Sequence, residues 1–329
     1  MAWEKETLQF SVVVCTFNRL SLLKESIESL LAQDFRVSSF QIIIVDNNSS
    51  DGTRDYAVAL AEQGRVDYVF EQSQGLARAR NSALQVARGR YIAYFDDDAK
   101  APANWLSVAQ SIVETEAAPG IFGGPYYPFY QEAKPRWFKD RYGSRSFGES
   151  PRYLEEGEYL SGSNIFIERR LLNELGAFAT DLGMRGSELG YAEESELQHR
   201  YRQEKDPGRI FYHPELFVYH LVAKQKTTLS WTFRSMYSRG KARYRVLGDS
   251  AITPFKGPLG LGGTLAAMFA RITLFLLELP FAFAARKRAD YPFFQNYLFE
   301  KSSRHIFQLG ALSARLKELT NPSGARAEQ

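Results

Sequence analysis

The chain has a single cysteine, four histidines and a net charge of only +3 among its 329 residues. One cysteine excludes an intramolecular disulfide and a zinc site built from several cysteines. The small net charge gives no reason to expect a nucleic-acid partner. The chain does not open with a basic segment and an apolar run, so we expect no secretory signal peptide and a cytoplasmic protein.

Two nucleotide-binding motifs are missing as well. No Gly-x-Gly-x-x-Gly pattern follows the first apolar run, which argues against a dinucleotide-dependent oxidoreductase, and nothing matches a P-loop. Hydrophobic residues make up 44% and charged residues 24% of the chain, which excludes intrinsic disorder for most of it. The length predicts one large α/β domain, or one domain with an appendage.

Continuous apolar runs alternate with helical patterns over the first 100 residues. We predict strands at 10–15, 41–45, 66–70 and 91–95, separated by helices at 20–32, 53–63 and 75–88. This alternation is typical of a mostly parallel sheet covered on both faces. Polar clusters follow three of the strands, at 16–18, 46–48 and 96–98. Because ligands bind beyond the carboxyl ends of such strands, these clusters should line one crevice.

The aspartates Asp96, Asp97 and Asp98 form the sharpest of these clusters. Adjacent carboxylates repel one another, and a bound cation would relieve that repulsion. Hard oxygen ligands suit Mg²⁺ or Mn²⁺, which in turn bridge to phosphates. A solvated acidic turn is the alternative, and the apolar strand that leads into the cluster favours the cation site.

Five segments in sequence order resemble the successive signatures of the family 2 glycosyltransferases. They are Val12–Arg19, Ile44–Thr53, Ala79–Asn81, Phe95–Asp98 and Ala192–Arg200. Their order and spacing fit the GT-A fold, a Rossmann-like sheet flanked by helices, and the resemblance covers roughly residues 10–220. It implies a nucleotide-sugar donor, a divalent cation (Mn²⁺ or Mg²⁺) and inversion at the anomeric carbon.

The resemblance also implies roles for residues at the donor end. Thr16 and Asn18 would line the nucleotide pocket, and Arg80 would lie near the nucleotide. Asp46 would accept a hydrogen bond from the base, which favours a uridine donor.

The same resemblance implies a cation site. Asp96 and Asp98 match the acidic ends of the DXD motif, with Asp97 between them in the donor site. Asp98 would hold the metal, and Asp96 would contact the ribose or the metal shell. His220 would be a third metal ligand or a diphosphate contact, with a structural histidine as the equal alternative.

An inverting transfer needs a base that takes the proton of the acceptor hydroxyl, and a carboxylate is the usual choice. The family pattern is commonly Glu-Asp at a helix start, with the second residue as base. This chain has Glu193 and Glu194, so Glu194 is the predicted base and Glu193 the second choice. The alternative is that both acids only complement the helix dipole.

Three residues are predicted to meet the acceptor. Trp137 lies in a long, weakly periodic segment at 126–159, among basic residues that suit phosphates or acidic sugars. Gly162 and Asn164 resemble the family segment between donor and acceptor, where a small residue lets the backbone approach the sugar. A packed surface loop and a plain strand start are the alternatives.

The segment 264–285 is nearly all apolar, and Arg271 and Glu278 share one helical face because they are seven residues apart. The basic residues 286–288 follow directly. A buried helix pair, an interfacial membrane helix and an oligomer interface all fit this pattern. We favour attachment of 259–290 to the inner face of the plasma membrane, which would suit a lipid-linked acceptor.

Together these features predict a GT-A catalytic domain at 1–228, with a nucleotide-sugar half at 1–125 and an acceptor half at 126–228. A helical, basic and apolar region follows at 229–329. The expected activity is metal-dependent inverting transfer of a sugar to a glycan or lipid-linked acceptor in cell-surface polysaccharide synthesis. A sugar nucleotidyltransferase and a non-catalytic sugar-binding scaffold are the alternatives.

Overall fold

The computed structural model describes residues 8–116, 118–186, 189–205, 208–254, 259–285 and 288–321. Arg286 and Lys287, two of the predicted basic residues 286–288, and the residues after 321 lie outside the described residues. The chain forms two compact units. The sheet unit comprises the described parts of Met1–Phe129, Gly143–Thr180 and Glu193–Leu221. The helical unit comprises those of Tyr130–Tyr142, Asp181–Ala192 and Val222–Gln329. The sequence predicts one boundary near 228, whereas the structure joins two earlier segments to the helical unit.

The described part of the chain contains the following strands and helices, numbered in chain order. The strands are β1 Phe10–Thr16, β2 Phe40–Asp46, β3 Asp67–Phe70, β4 Tyr91–Asp96, β5 Ala99–Lys100, β6 Ile121–Gly123, β7 Tyr126–Phe129, β8 Arg152–Tyr153, β9 Ile165–Glu168, β10 Ile210–Tyr212 and β11 Val218–Leu221. The helices are α1 Leu20–Leu31, α2 Thr53–Glu62, α3 Leu76–Ser82, α4 Trp105–Thr115, α5 Arg169–Leu175, α6 Glu193–Glu204, α7 Leu229–Leu247, α8 Leu261–Ala285, α9 Phe294–Tyr297 and α10 Ser303–Thr320.

The sheet unit is built on an eight-stranded mixed sheet in the order β3-β2-β1-β4-β9-β6-β10-β8. The first four strands in that order are parallel, and β9 runs antiparallel to both β4 and β6. This α/β architecture confirms the predicted fold class. The parallel pairing also brings the carboxyl ends of β1, β2 and β4 to one edge of the sheet.

The apolar strand sequences reflect burial on both faces of this sheet. Along β1, Val12 and Val14 pack into one core cluster, while Val13 packs into the other. Helix α1 covers the first face with Leu23 and Ile27, which lie one turn apart and are fully buried. Strands with solvent on one face would alternate in polarity, so the continuous apolar runs follow directly from this double burial.

The segment 126–159, predicted as a long loop, contains two short strands. Strand β7 joins a small second sheet in the order β5-β11-β7, and β8 pairs with β10 and forms one edge of the large sheet. Neither strand exceeds four residues, and Pro128 interrupts β7. Pieces this short leave no periodic signal in the sequence, which explains the missed strands.

In the helical unit, α7 and α10 cross at unusually close range. A Cβ atom at Gly240 would lie 1.8 Å from the carbonyl oxygen of Phe307, and one at Gly310 would lie 2.0 Å from that of Tyr237. Only glycine allows the two backbones to approach this closely. The crossing therefore fixes α7 against α10, and α8 packs along α10 as well.

Helix α8 has the length and composition of a membrane span, yet most of its side chains are exposed. Its packed stripe includes the small or polar residues Thr264, Ala267, Arg271 and Glu278. The remaining surface carries exposed large apolar side chains, which are Leu261, Leu265, Phe269, Ile272, Leu274, Leu276, Leu277, Phe281 and Phe283. We call this surface the apolar face of α8. It excludes the expectation of a fully buried helix pair within the described chain.

Candidate active site

Polar residues meet where three neighbouring strands of the sheet end. In the parallel ladders, Thr16 of β1 lies opposite Asp46 of β2, and Cys15 lies opposite Asp96 of β4. The register therefore places the predicted clusters side by side at one edge. The crevice that the sequence predicts beyond the carboxyl ends of these strands is built from this edge.

The residues after β4 are held by a network of charged and polar groups. The Thr16 hydroxyl donates to Asp97 at 2.7 Å, and the Arg19 guanidinium donates to Asp97 at 3.0 Å and to Asp98 at 3.2 Å. Burial raises the pKa of Asp97 to about 6; Arg19 opposes the rise, and the neighbouring charge of Asp98 adds to it. Asp97 is thus a buried residue of this loop, and its carboxylate faces Thr16 and Arg19.

Arg19 is a site residue that the sequence analysis missed. It is the last residue of the first resembling segment, directly after Asn18. Its Nη1 atom contacts two of the three aspartates, Asp97 and Asp98. The signal available was a single basic residue one position beyond a strand-end cluster. A single basic residue does not indicate which distant residues it contacts, so the sequence could not link Arg19 to Asp97, 78 positions away.

Asp96, Asp98 and His220 converge on one point. The His220 Nε2 atom lies 3.2 Å from an oxygen of Asp96 and 3.1 Å from an oxygen of Asp98. One candidate ligand atom from each residue lies within 4.8 Å of the others. The small sheet produces this approach, because β11 pairs with β5 and sets His220 opposite Ala99.

This donor set suits a divalent cation. Two carboxylate oxygens are ligands for Mg²⁺ and Mn²⁺ alike, and an imidazole nitrogen favours the transition metal. The three side chains come from two separate segments of the chain and share one small volume. The predicted metal residues Asp96, Asp98 and His220 are therefore brought together by the fold.

Arg80 links the aspartate loop to the start of α6. Its guanidinium lies 3.0 Å from Glu193, 3.8 Å from Asp96 and 4.0 Å from Glu194. Burial alone lowers the pKa of Arg80, but the charges of Glu193, Glu194 and Asp96 outweigh it and hold the pKa above its usual value. The sequence analysis placed Arg80 near the nucleotide; the structure shows it buried between the two groups of acids.

Gly162 makes room for this arginine. A Cβ atom at position 162 would lie 2.2 Å from the Arg80 Nη2 atom. The Arg80 guanidinium also lies over the rings of Tyr94 and Phe178, at 5.6 and 5.4 Å from their centroids. The close approach of Arg80 is thus one reason for a small residue at 162, and the predicted contact of Gly162 with the acceptor stays a prediction.

Glu193 and Glu194 occupy different environments at the start of α6. Glu193 is 3% exposed and bound to Arg80, and burial raises its pKa to about 8, with the charge of Glu194 adding to the rise and Arg80 opposing it. The side chain of Glu194 is 22% exposed, and its Oε1 accepts a hydrogen bond from the Gly162 backbone at 3.5 Å. Of the two carboxylates, Glu194 is the one that solvent reaches.

Asn18 and Asp46 shape the loop after β2. The side-chain Oδ1 of Asn18 accepts from the Ser50 backbone N–H at 2.7 Å, and the Asp46 carboxylate accepts from the Ser49 backbone N–H at 2.8 Å. The second carboxylate oxygen of Asp46 accepts from Tyr68, and the residue is fully buried. Both side chains hold the loop that borders the sheet edge, and their predicted nucleotide contacts stay predictions.

Asn164 is a structural residue in this unit. Its amide nitrogen donates to the backbone oxygens of Pro125 and Leu216 at 3.0 and 2.6 Å, and its oxygen accepts from Trp105 at 3.0 Å. The side chain is fully buried. Because these bonds use both N–H groups of the amide, we correct the prediction that Asn164 contacts the acceptor.

Trp137 lies in the helical unit, where its ring is 8% exposed. It packs with Phe138, Tyr142 and Phe299, and its carbonyl oxygen accepts from Asn296. Trp137 therefore packs inside the helical unit, which agrees with the alternative of a packed loop. The predicted acceptor contact of Trp137 is therefore not carried further.

The chain resembles proteins of known activity along most of its length. Residues 11–176, about half of the chain, match the family model described as "Glycosyl transferase family 2". A glucosyl-dolichyl phosphate glucuronosyltransferase from Haloferax volcanii is 28% identical over 70% of this chain and 75% of that protein. A GalNAc(5)-diNAcBac-PP-undecaprenol beta-1,3-glucosyltransferase from Campylobacter jejuni is 27% identical over 67% of each.

A solved structure supports the fold. It is a mannosyltransferase from Pyrobaculum calidifontis in complex with GDP-Man and Mn²⁺, with a TM-score of 0.57, 20% sequence identity and coverage of 96% of this chain and 88% of that one. At this identity the likeness establishes the GT-A fold. The family match favours the sugar-transferring enzyme over both alternatives left open by the sequence. The chain therefore belongs to glycosyltransferase family 2 and is a glycosyltransferase.

Proposed function

We propose that the protein is a metal-dependent inverting transferase that moves a sugar from a nucleotide-diphosphate donor, a UDP-sugar, to a hydroxyl of a lipid-linked acceptor in cell-surface polysaccharide synthesis. One observation carries the proposal. The buried guanidinium of Arg80 lies between Asp96 of the aspartate loop and the Glu193–Glu194 pair. Asp96 of the proposed cation site and Glu194, the proposed base, therefore lie 3.8 and 4.0 Å from the same buried guanidinium.

The donor end supports binding of a diphosphate with a cation. Asp96, Asp98 and His220 would hold Mn²⁺ or Mg²⁺, and the cation would neutralise the charge that develops on the departing diphosphate. Arg19 and Thr16 orient Asp97 beside them, so that the loop keeps its shape when the donor enters. In this proposal, the side chains at the donor end position the cation and keep the aspartate loop in shape.

Glu194 is the proposed base. An acceptor hydroxyl that attacks the anomeric carbon loses its proton to a carboxylate oxygen, which must be reachable and hydrogen-bond-ready. Glu194 is partly exposed and bound only weakly to the Gly162 backbone, whereas the nearer oxygen of Glu193 is taken by Arg80. The Arg80–Glu193 pair therefore positions the start of α6, and Glu194 takes the proton.

Variants of two acids at the start of α6, Glu194 and Glu196, test this assignment. We expect Glu194→Gln to lower kcat at least about 100-fold, because general-base catalysis contributes that much in enzymes. Glu196→Gln is the matched control: it removes an acid from the same helical turn, but Glu196 pairs with Arg200 four residues on. The measurement is release of nucleoside diphosphate with Mn²⁺ and the donor that most raises the melting temperature. Full activity in Glu194→Gln would contradict the proposal.

The acceptor class follows from the relatives and from α8. The relatives from Haloferax volcanii and Campylobacter jejuni carry names that refer to dolichyl phosphate and undecaprenol diphosphate acceptors. In this chain, the apolar face of α8 exposes nine large apolar side chains. Such a surface is far larger than the scattered apolar residues of a soluble monomer. We therefore assign it to the bilayer in which a lipid-linked acceptor would lie.

The charged residues of the helical unit favour an in-plane helix over a membrane span. Arg271 and Glu278 lie on the packed stripe of α8, where Glu278 pairs with Arg304 of α10. A span would draw α10, with Arg304, Arg315 and Lys317, towards the hydrocarbon layer as well. Charges at that depth are costly. An interfacial helix buries only its apolar face, so α8 is assigned to the inner surface of the plasma membrane.

A further inference from the structure

A cavity of about 470 Å³ lies in the helical unit, apart from every residue assigned to transfer. Arg271 of α8 and Arg304 of α10 both line it. The hydrogen-bonding side chains of Thr253, Ser303 and Gln308 complete its polar wall. Two guanidinium groups on one cavity form a lining that suits an oxyanion.

Arg271 gains little from its surroundings in the protein. It donates to the backbone oxygen of Thr253, and it forms no ion pair with any carboxylate in the part of the chain that the structure describes. Burial lowers the pKa of Arg271, and the positive charge of Arg304 lowers it further. An anion in the cavity would offset both effects, and four of the five guanidinium N–H groups of Arg271 are left for it.

Arg304 is only partly neutralised. It lies 2.8 Å from one oxygen of Glu278, and the same oxygen also accepts from His305 at 3.1 Å. One carboxylate oxygen is thus shared between a guanidinium and an imidazole. The Arg304 side chain is also largely exposed, so it can turn a second edge towards an anion in the cavity.

The cavity lies beside the apolar face of α8. Ile272 and Leu274, which flank Arg271 within one turn of the helix, are both exposed. An interfacial helix buries its apolar side chains just below the layer of lipid phosphates. A guanidinium on the same turn, directed away from the apolar face, is therefore expected at the depth of those phosphates.

We propose that this cavity binds the terminal phosphate group of a membrane lipid, held between Arg271 and Arg304. The phosphate chemistry follows from the two guanidinium groups, whereas its lipid source rests on the membrane contact proposed for α8. The site would anchor the helical unit at one class of lipid and keep α8 in the plane of the bilayer. It is separate from the donor site and needs neither donor nor cation.

Vesicle binding tests the proposal in the absence of nucleotide sugar, so that its result does not depend on transferase activity. The full-length chain is compared on phosphatidylcholine vesicles containing either phosphatidic acid or phosphatidylserine at equal surface charge. We expect at least about tenfold tighter binding to phosphatidic acid, since charge-assisted hydrogen bonds are worth that much. Arg271→Gln and Arg304→Gln should lose this preference, and Arg271→Lys should keep only part of it.

Arg288→Gln is the matched control, because it removes a charge near α8 without lining the cavity. It should bind both vesicles somewhat more weakly and keep the preference. Melting in inorganic phosphate at fixed ionic strength separates the phosphate sources. A phosphate-dependent rise that both cavity variants lose, without a vesicle preference, supports the site but assigns it to free phosphate. Equal behaviour of the wild type and correctly folded cavity variants in both measurements would overturn the proposal.

Discussion

The buried acid at the start of α6 makes the stability of the protein depend on pH. Glu193 is 3% exposed, and its pKa rises from the ordinary 4.5 to about 8 through burial, with Glu194 adding to the rise and Arg80 opposing it. A folded state that binds the proton more tightly than the unfolded chain loses stability as that proton leaves. The contribution is therefore fully present below pH 4.5 and is lost progressively up to pH 8.

The size of this effect follows from linkage. Within that window the free energy of unfolding falls by about 1.4 kcal/mol per pH unit because of Glu193. Between pH 6 and pH 8 the loss amounts to about 2 kcal/mol, because the slope flattens as Glu193 itself ionises near pH 8. Glu193→Gln keeps an oxygen that can accept from Arg80 but cannot ionise. We therefore expect the variant to lack this part of the pH dependence and to be the more stable protein near pH 8.

Chemical denaturation at a series of pH values measures this difference. Asp97, whose pKa is raised to about 6, also titrates in the window, but it does so in both proteins and cancels in the comparison. Glu196→Gln is the control on the same helix and should follow the wild type, because its pair with Arg200 is solvent-accessible. Parallel pH curves for the wild type and Glu193→Gln would refute the reasoning.

Three further changes have expected outcomes. Gly162→Ala should lower kcat at least about tenfold and cost about 1–3 kcal/mol in denaturation, because its Cβ would displace Arg80; unchanged kinetics would contradict this. Gly310→Ala should destabilise the helical unit by a similar amount in thermal melting, whereas Gly262→Ala, whose Cβ meets nothing within 4 Å, should be neutral or slightly stabilising. Phe269→Ser should weaken flotation with neutral vesicles about tenfold, because Phe269 is 73% exposed on the apolar face of α8; equal flotation would remove the membrane assignment.

The parallel part of the sheet was predictable because a strand that is buried on both faces has a continuous apolar sequence. The runs at Phe10–Thr16, Phe40–Asp46 and Tyr91–Asp96 are apolar on successive positions, and the observed bounds differ from the prediction by one residue at each end at most. The helix predicted at 75–88 instead ends at Ser82 and continues as a short 3₁₀ turn. Element type follows from pattern, whereas the last turn depends on tertiary packing.

The acceptor predictions illustrate what a local pattern cannot distinguish. Trp137 among basic residues fits a sugar platform and a packed loop equally well, and the choice depends on residues such as Phe299, 162 positions later. Asn164 likewise meets Trp105 and Leu216 through long-range hydrogen bonds. The sequence does not show which partner an aromatic or amide side chain contacts, so its role can be assigned only once the fold is known.

Arg80 shows why the donor and acceptor ends could not be related from the sequence. The motifs indicated two groups of acids, around Asp96 and around Glu194, without any distance between them. A buried guanidinium is stable only with compensating charge, and a single carboxylate would have sufficed for that.

The structure instead places three acids around Arg80, so more than one carboxylate faces its single positive charge. Burial, with the charge of Glu194 adding to it, keeps the pKa of Glu193 high, and Arg80 lies farther from Glu194 than from Glu193. Glu194 is open to solvent and lies 4.0 Å from the guanidinium, whereas Glu193 is buried and bound to it at 3.0 Å. The difference in solvent exposure and in contact with Arg80 is therefore the physical reason to propose proton transfer for Glu194 and positioning for Glu193.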